Sequence, residues 1–268
     1  MPEGDTLFKI AAYLRPELCG RKLRQAVIPT MPEAALTDSR IEAVFARGKH
    51  LFITFGNDRI LRSHLGMRGS WHAYAPEEPW QNPRQRAGIV LDTGDRVFVC
   101  FNPQEVELLH GKSLRQRILN HRIGPDLLDP QIDFRSLPAR ASCLAAPETP
   151  LIDILLDQRI AAGIGNVYKS ELLFLAGWHP LMPLKAINDA QLAALYQSAS
   201  KLLASNTGAG PRITRHTHDS AGILWVYKRA TQACYRCNTP IRFARLGRHH
   251  RTTFWCPSCQ PDQRHIGE

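Results

Sequence analysis

The residues best placed to do chemistry lie at the two ends of the 268-residue chain. At the start stand Met1-Pro2-Glu3-Gly4-Asp5. Removal of Met1 would leave a proline secondary amine as the N-terminus, with a carboxylate beside it. An α-amino group titrates at about pH 7.7–8.0, so an appreciable fraction is uncharged and nucleophilic near neutrality. A secondary amine that attacks an aldehyde-level carbon gives an iminium ion with no N–H proton to lose. That persistent cationic electron sink suits cleavage at a sugar carbon. The plainer reading of the same five residues is a flexible polar start with no chemical role.

At the other end, Cys234-Tyr-Arg-Cys237 and Cys256-Pro-Ser-Cys259 form two CxxC pairs separated by 18 residues. This spacing fits a tetrahedral four-thiolate zinc site of the ribbon or hairpin type, with one structural Zn2+. Two disulfides are the competing reading. Seven cysteines, an odd number, and the lack of a signal-peptide or transmembrane run weigh against an oxidising compartment. Cys19, Cys100 and Cys143 read as ordinary thiols in or near the core.

These groups need elements to position them. Asp5 reads as the N-cap of a helix over residues 6–18, with Leu7, Ile10, Ala11 and Leu14 on one face and Gly20 as its stop. The runs 50–55, 60–65, 87–91 and 96–101 are β-rich. Turns at Gly56-Asn57-Asp58 and Thr93-Gly94-Asp95 punctuate them, which predicts an antiparallel sandwich or barrel. Residues 129–150 carry prolines at 130, 138, 147 and 150 and read as a linker. Helices follow over 152–162, over 166–176 after the tight turn Gly163-Ile164-Gly165, and over 189–204. An αα-hairpin serving only the core would give the same pattern. Asn166, at the start of the second of these helices, stands where free N–H groups and the helix dipole favour an anion such as a DNA phosphate. Strands at 240–244 and 252–255, joined around Leu246-Gly247-Arg248, complete a hairpin on the cysteine site.

The chain is long enough for two domains, and 44% of its residues are hydrophobic. A net charge of +10 points to a polyanionic partner, although a basic face is often only solvated surface. Its distribution says more: residues 228–268 hold eight Lys or Arg against Asp262 and Glu268. That concentration around a zinc hairpin favours phosphate contacts.

Taken in order, several of these features resemble the formamidopyrimidine-DNA glycosylase and endonuclease VIII family. They are the Pro-Glu-Gly start, Arg47-Gly48-Lys49, His64-Leu65-Gly66-Met67, and the stretches 122–129, 155–166 and 251–259. The resemblance spans nearly the whole chain and implies an α+β fold. Its parts would be an N-terminal β-sandwich with a flanking helix over 1–128, a linker over 129–150, a helix-two-turn-helix domain over 151–228 and a zinc finger over 229–268. It also implies a bifunctional DNA glycosylase and lyase of base-excision repair, expected in the bacterial cytoplasm. The expected partner is double-stranded DNA containing oxidised bases or abasic sites, with a monomeric protein and no membrane.

By the same resemblance, Pro2 attacks the sugar C1′ and forms a Schiff base, while Glu3 serves as general acid and base. Lys49 touches phosphate and assists proton transfer. Arg122, Asn166 and Arg251 grip the backbone around the flipped nucleotide, and Arg251 assists δ-elimination. Met67 is the wedge that fills the space vacated by the flipped base. The plain readings are a solvated turn lysine for Lys49 and a core methionine for Met67. Some positions depart from the family pattern. The purine-directed branch carries an Arg-Arg-Phe loop, where this chain has Asn102-Pro-Gln-Glu-Val106. Residues 208–224 give no readable specificity, and Thr6 stands where many members have glutamate. The departures place the chain nearer endonuclease VIII, with oxidised pyrimidines favoured. A purine-directed enzyme of the same family and a non-catalytic zinc-dependent DNA-binding module remain as alternatives.

Overall fold

The computed structural model describes residues 2–32, 36–56, 58–111, 122–217 and 222–262. It divides into two compact units, Met1–His121 and Arg122–Glu268. Among the described residues no helix is long and apolar enough to cross a membrane.

The first unit opens with α1 (Gly4–Leu18), whose Leu7, Ala11, Leu14 and Leu18 are buried at helical spacing. The helix starts earlier than the sequence suggested, and its N-cap is Glu3, not Asp5. The reason is a capping-box pairing of Glu3 with Thr6, in which the Glu3 N–H donates to Thr6 Oγ1 at 3.4 Å. Asp5 falls inside the first turn and is buried.

Among the described residues eight strands follow: β1 (Gln25–Val27), β2 (Ile41–Arg47), β3 (His50–Phe55), β4 (Arg59–His64), β5 (Ser70–Tyr74), β6 (Ala87–Asp92), β7 (Val97–Phe101) and β8 (Glu105–His110). They form two antiparallel four-stranded sheets, ordered β1-β6-β7-β5 and β2-β3-β4-β8. Leu51, Ile53, Phe55 and Leu61 of one sheet meet Ile89, Leu91, Phe98 and Cys100 of the other and the apolar face of α1 in one core. The architecture is therefore a sandwich and not a barrel. In β7 every residue is buried, because Phe98 and Cys100 face that core while Val97, Val99 and Phe101 pack outward with Tyr74 and Trp80. A strand covered on both faces reads as a continuous apolar run. Strands β1, β2, β5 and β8 lacked that signal. Asn57, the middle residue of the expected 56–58 turn, lies outside the described residues.

The second unit contains α2 (Leu137–Leu144), α3 (Leu151–Leu156), α4 (Asn166–Ala176) and α5 (Asp189–Ala204). Leu137 and Ala141 of α2 are wholly buried with Leu151, Leu155, Tyr168 and Tyr196. The middle of the segment expected as a linker thus forms a helix packed into this core. Helix α3 stops six residues short of its expected end. Asp157 accepts from the Arg159 N–H at 2.9 Å, and Gln158 accepts from the Gly163 N–H at 3.1 Å while donating to the Ile164 carbonyl at 3.0 Å. Such local side-chain bonds compete with the helical ladder and fold residues 157–165 into a turn. The hairpin of β9 (Arg242–Leu246) and β10 (Arg251–Trp255) pairs Leu246 with Arg251. Its tip is tied to α3, because the Arg248 N–H donates to both Asp153 carboxylate oxygens at 3.0 Å.

Candidate active site and nucleic-acid interface

In the first unit, Pro2 immediately precedes the N-cap of α1 and is half-buried, whereas the Glu3 carboxylate is wholly buried at the positive end of the helix dipole. That end stabilises a negative charge, which suits a carboxylate buried there. The Glu3 carbonyl accepts the Thr6 and Leu7 N–H groups at 3.0 and 3.1 Å, which fixes the position of the adjoining Pro2. Met1 lies outside the described residues.

Lys49 occupies a two-residue turn between β2 and β3, closed by the pair Arg47 and His50. Gly48 adopts φ 56°, the left-handed conformation that a tight hairpin turn places at its first central position. Since α1 packs on β2 and β3, the elements carrying Pro2, Glu3 and Lys49 form one assembly. Met67 lies in the loop between β4 and β5 and is 63% exposed. It is a surface residue and not the core methionine that the sequence left open.

Beside Lys49 is a charged network that the sequence analysis missed. Register aligns His50 with His64 and His64 with Glu105, and in the adjacent row Arg62 with Glu107. Arg62 is 3% exposed. It reaches Glu105 at 2.7 Å, Glu107 at 3.1 Å and His50 Nδ1 at 2.8 Å. A guanidinium can only donate, so His50 Nδ1 must accept, which makes His50 a neutral ring with its proton on Nε2. Burial lowers the His50 pKa to about 3, and the nearby His64, Arg62 and Lys49 push the same way. The His64 ring lies 4.8 Å from that of His50, and burial likewise lowers its pKa. The available signal was an arginine in the middle of the apolar strand 60–65.

In the second unit, Asn166 opens α4 and is 9% exposed. Its Nδ2 donates to the Thr252 carbonyl at 2.6 Å, and its Oδ1 accepts from the buried Lys169 Nζ at 2.7 Å. Lys169 also donates to Thr253 Oγ1 at 2.7 Å. These bonds tie the start of α4 to the start of β10 and bring together Asn166 and the exposed Arg251. Each Asn nitrogen carries two hydrogens, so one Asn166 amide N–H remains for an outside acceptor. Arg122 is exposed at the start of the unit, and the N–H of nearby Gly124 donates to the Gln158 carbonyl at 2.8 Å.

Glu171, also missed, is wholly buried on α4. Its carboxylate accepts the backbone N–H groups of Trp225, Val226 and Tyr227 at 2.7, 2.9 and 2.8 Å, together with the Thr214 hydroxyl. In sequence, the charged pair Lys169 and Glu171 inside an apolar helix was the available cue.

The four finger cysteines place their Sγ atoms within 4.8 Å of one another. Cys237 Sγ lies 3.4 Å from the sulfurs of both Cys256 and Cys259, and Cys234 Sγ lies 3.9 Å from that of Cys259. Four sulfurs about 2.3 Å from a central ion would lie about 3.8 Å apart in a tetrahedron, so the set fits one metal ion. All seven cysteines are free, which removes the disulfide reading. The Arg236 N–H donates to Cys234 Sγ, and the Cys259 N–H to Cys256 Sγ, each at 3.4 Å. Such bonds orient the sulfurs that would ligate the ion.

Residues 1–106 match the formamidopyrimidine-DNA glycosylase N-terminal domain, and residues 123–217 match the H2TH domain of that enzyme family. The chain is 39% identical to a probable endonuclease 8 2 of Streptomyces coelicolor, over 97% of this chain and 94% of that one. It is 37% identical to a DNA-(apurinic or apyrimidinic site) lyase, Nei2, of Mycolicibacterium smegmatis, over 97% and 99% of the two chains. It also superimposes on the Lactococcus lactis formamidopyrimidine-DNA glycosylase bound to DNA containing an abasic site, with a TM-score of 0.80. That match covers 97% of this chain and 100% of the other at 22% identity, and it bears on the fold.

Proposed function

Because the chain belongs to the formamidopyrimidine-DNA glycosylase family, a family of DNA glycosylases and abasic-site lyases of base-excision repair, we propose that it excises oxidised pyrimidines through a Schiff base on Pro2. The observation that carries this reading is the wholly buried Glu3 carboxylate at the capped start of α1, directly after the proline. A rigid first turn fixes the amine and the acid relative to each other, which gives covalent catalysis its effective concentration.

In the proposed reaction the Pro2 nitrogen bonds to C1′ as the bond from C1′ to the base breaks. Glu3 delivers the proton that the opening sugar or departing base requires. Pro2 then loses its N–H proton and the C1′–O4′ bond breaks, with O4′ protonated, to give an iminium that acidifies C2′; loss of a C2′ proton expels the 3′ phosphate, and a second elimination, assisted by Arg251, releases the 5′ phosphate. Lys49, on its short hairpin turn, meets phosphate and assists proton transfer. The remaining Asn166 amide hydrogen, Arg251 and Arg122 hold the DNA backbone. Met67 enters the stack where the base has left. The four cysteines hold one Zn2+, which supplies no reaction chemistry. It would fix the finger, residues 229–262, as a DNA-contacting module, with duplex DNA carrying oxidised bases or abasic sites as the partner of a monomeric enzyme.

The preference for pyrimidines rests on Gln104 and Val106 in place of the Arg-Arg-Phe pattern and on the endonuclease 8 names of the relatives. The test is borohydride trapping, with the protein's N-terminus checked by mass, on matched duplexes containing dihydrouracil, 8-oxoguanine or an abasic site. We expect an adduct at Pro2, strongest with dihydrouracil. Glu3→Gln keeps the length and an acceptor for the cap, and it should lower excision by about 100-fold or more, the usual scale for a lost general acid. A stronger adduct with 8-oxoguanine would make the enzyme purine-directed. No adduct at the abasic site, with Met1 gone and DNA bound, would overturn the Schiff-base chemistry.

A further inference from the structure

The loop that carries Met67 is short and tightly closed. The Gly69 N–H donates to the Leu65 carbonyl at 2.9 Å, and Gly66 takes φ 60°. Gln104, which precedes β8, comes up against this loop from the neighbouring strand. Its N–H donates to the His64 carbonyl at 2.8 Å, next to the pairing of His64 with Glu105. Its side chain lies across the open face of Gly66: a Cβ on that glycine would come within 2.9 Å of Gln104 Cβ and 3.3 Å of Cδ, and would collide with Oε1. Only a residue without a side chain leaves room for Gln104 there.

This arrangement bears on what an intercalating side chain requires. A wedge must resist being pushed back when a base stack closes on it, and Met is flexible, with three rotatable bonds. An exposed Met67 on an unsupported loop would yield to the stack. The Gln104 side chain supplies a backing directly behind the residue that precedes Met67. We infer that Gln104 is a positioning residue for the Met67 wedge, acting by packing against Gly66 and not by hydrogen bonding to a base. The inference rests on the wedge reading of Met67 proposed above.

A double-mutant cycle separates the two. Met67→Ala, Gln104→Ala and the double variant would be compared with wild type in single-turnover excision of dihydrouracil from duplex DNA. The same oligonucleotide as a single strand is the control, because it has no stack to fill. We expect Met67→Ala and Gln104→Ala each to lower duplex excision by roughly tenfold, and the double variant to be no slower than Met67→Ala. For Gln104→Ala the ratio of duplex to single-strand rate should fall while the thermal midpoint stays at the wild-type value. Gln104→Met, which keeps the length and loses the amide, should restore the duplex rate. Failure of Gln104→Met to restore it would assign Gln104 to base reading and overturn the packing role. An unaltered Gln104→Ala rate beside a slow Met67→Ala would overturn the inference alone, as would fully multiplicative losses. An unaltered Met67→Ala rate would remove the wedge itself, and with it the inference.

Discussion

Arg62 decides the state of His50. A permanent donor at 2.8 Å from Nδ1 excludes the imidazolium, and the ring stays neutral in the folded protein down to about pH 3. In the unfolded chain the same ring would take up a proton below about pH 6.5. The folded pKa is thus depressed for a group whose charged form is the protonated one. Between about pH 6.5 and pH 3 the unfolded state binds more protons, so the His50 contribution is complete above 6.5 and is lost as pH falls. Lowering the pH from 6.5 to 5 should cost about 2 kcal/mol from this residue. Urea unfolding of wild type and His50→Gln at both pH values gives the measurement, and the variant should have the shallower pH dependence. Parallel curves would mean that His50 is not the neutral, clamped ring. The sequence showed Lys49 through its motif but not this network, since pairing of residues 50, 62, 64, 105 and 107 exists only once the sheet register is set.

Among the elements, α4 does the most varied work. Its first residue meets β10, its buried Lys169 holds that contact, and Glu171 fastens residues 225–227. Glu171→Ala leaves three backbone N–H groups, that of Val226 buried and those of Trp225 and Tyr227 half-buried, without their carboxylate. About 3 kcal/mol of stability should be lost, given about 1–3 kcal/mol for an unsatisfied buried group and partial relaxation around it. Chemical denaturation reads the loss, and amide exchange should rise at Trp225, Val226 and Tyr227. A midpoint equal to that of wild type would show that other contacts hold this segment. Helix α4 was legible because Gly165 and Gly177 bracket an apolar run, and α5 because Asn188 and Gln191 form a capping box. Helix α3 was overextended because Asp157 and Gln158 look helix-compatible in sequence, and only their side-chain bonds to the following turn end it.

At the scale of the whole molecule, the two units differ in what sustains them. The sandwich core is built of α1 and two sheets. The finger core gathers Val226, Cys234, Ile241, Phe254 and Cys256 around Phe174 of α4. So small a cluster depends on its metal, because the binding free energy of a structural ion is also folding free energy. Chelation should therefore raise hydrogen exchange through residues 225–262 and around Phe174 and abolish tight DNA binding, while protection in α1, β3 and β7 persists. Equal loss of protection in both units would contradict the division. The sandwich, the helices and the cysteine site were legible because periodicity and spacing carry them. The placement of residues 129–150 was not, since four prolines look like a linker until Leu137 and Ala141 are seen inside a core.

The turn that carries Lys49 has only two residues, and its length is as binding as its composition. Successive side chains of β3 alternate between faces, with Leu51, Ile53 and Phe55 inward and His50, Phe52 and Thr54 outward. Adding or deleting one residue at Gly48 or Lys49 would slip the hairpin by one place and exchange the two sets. Phe52 and the His50 ring would enter the core, and the Arg62 clamp would face a leucine. Relatives that share this sheet can therefore change the identity of the residue at the tip but not its distance from the strand, which makes chain length the constraint on where that cation stands.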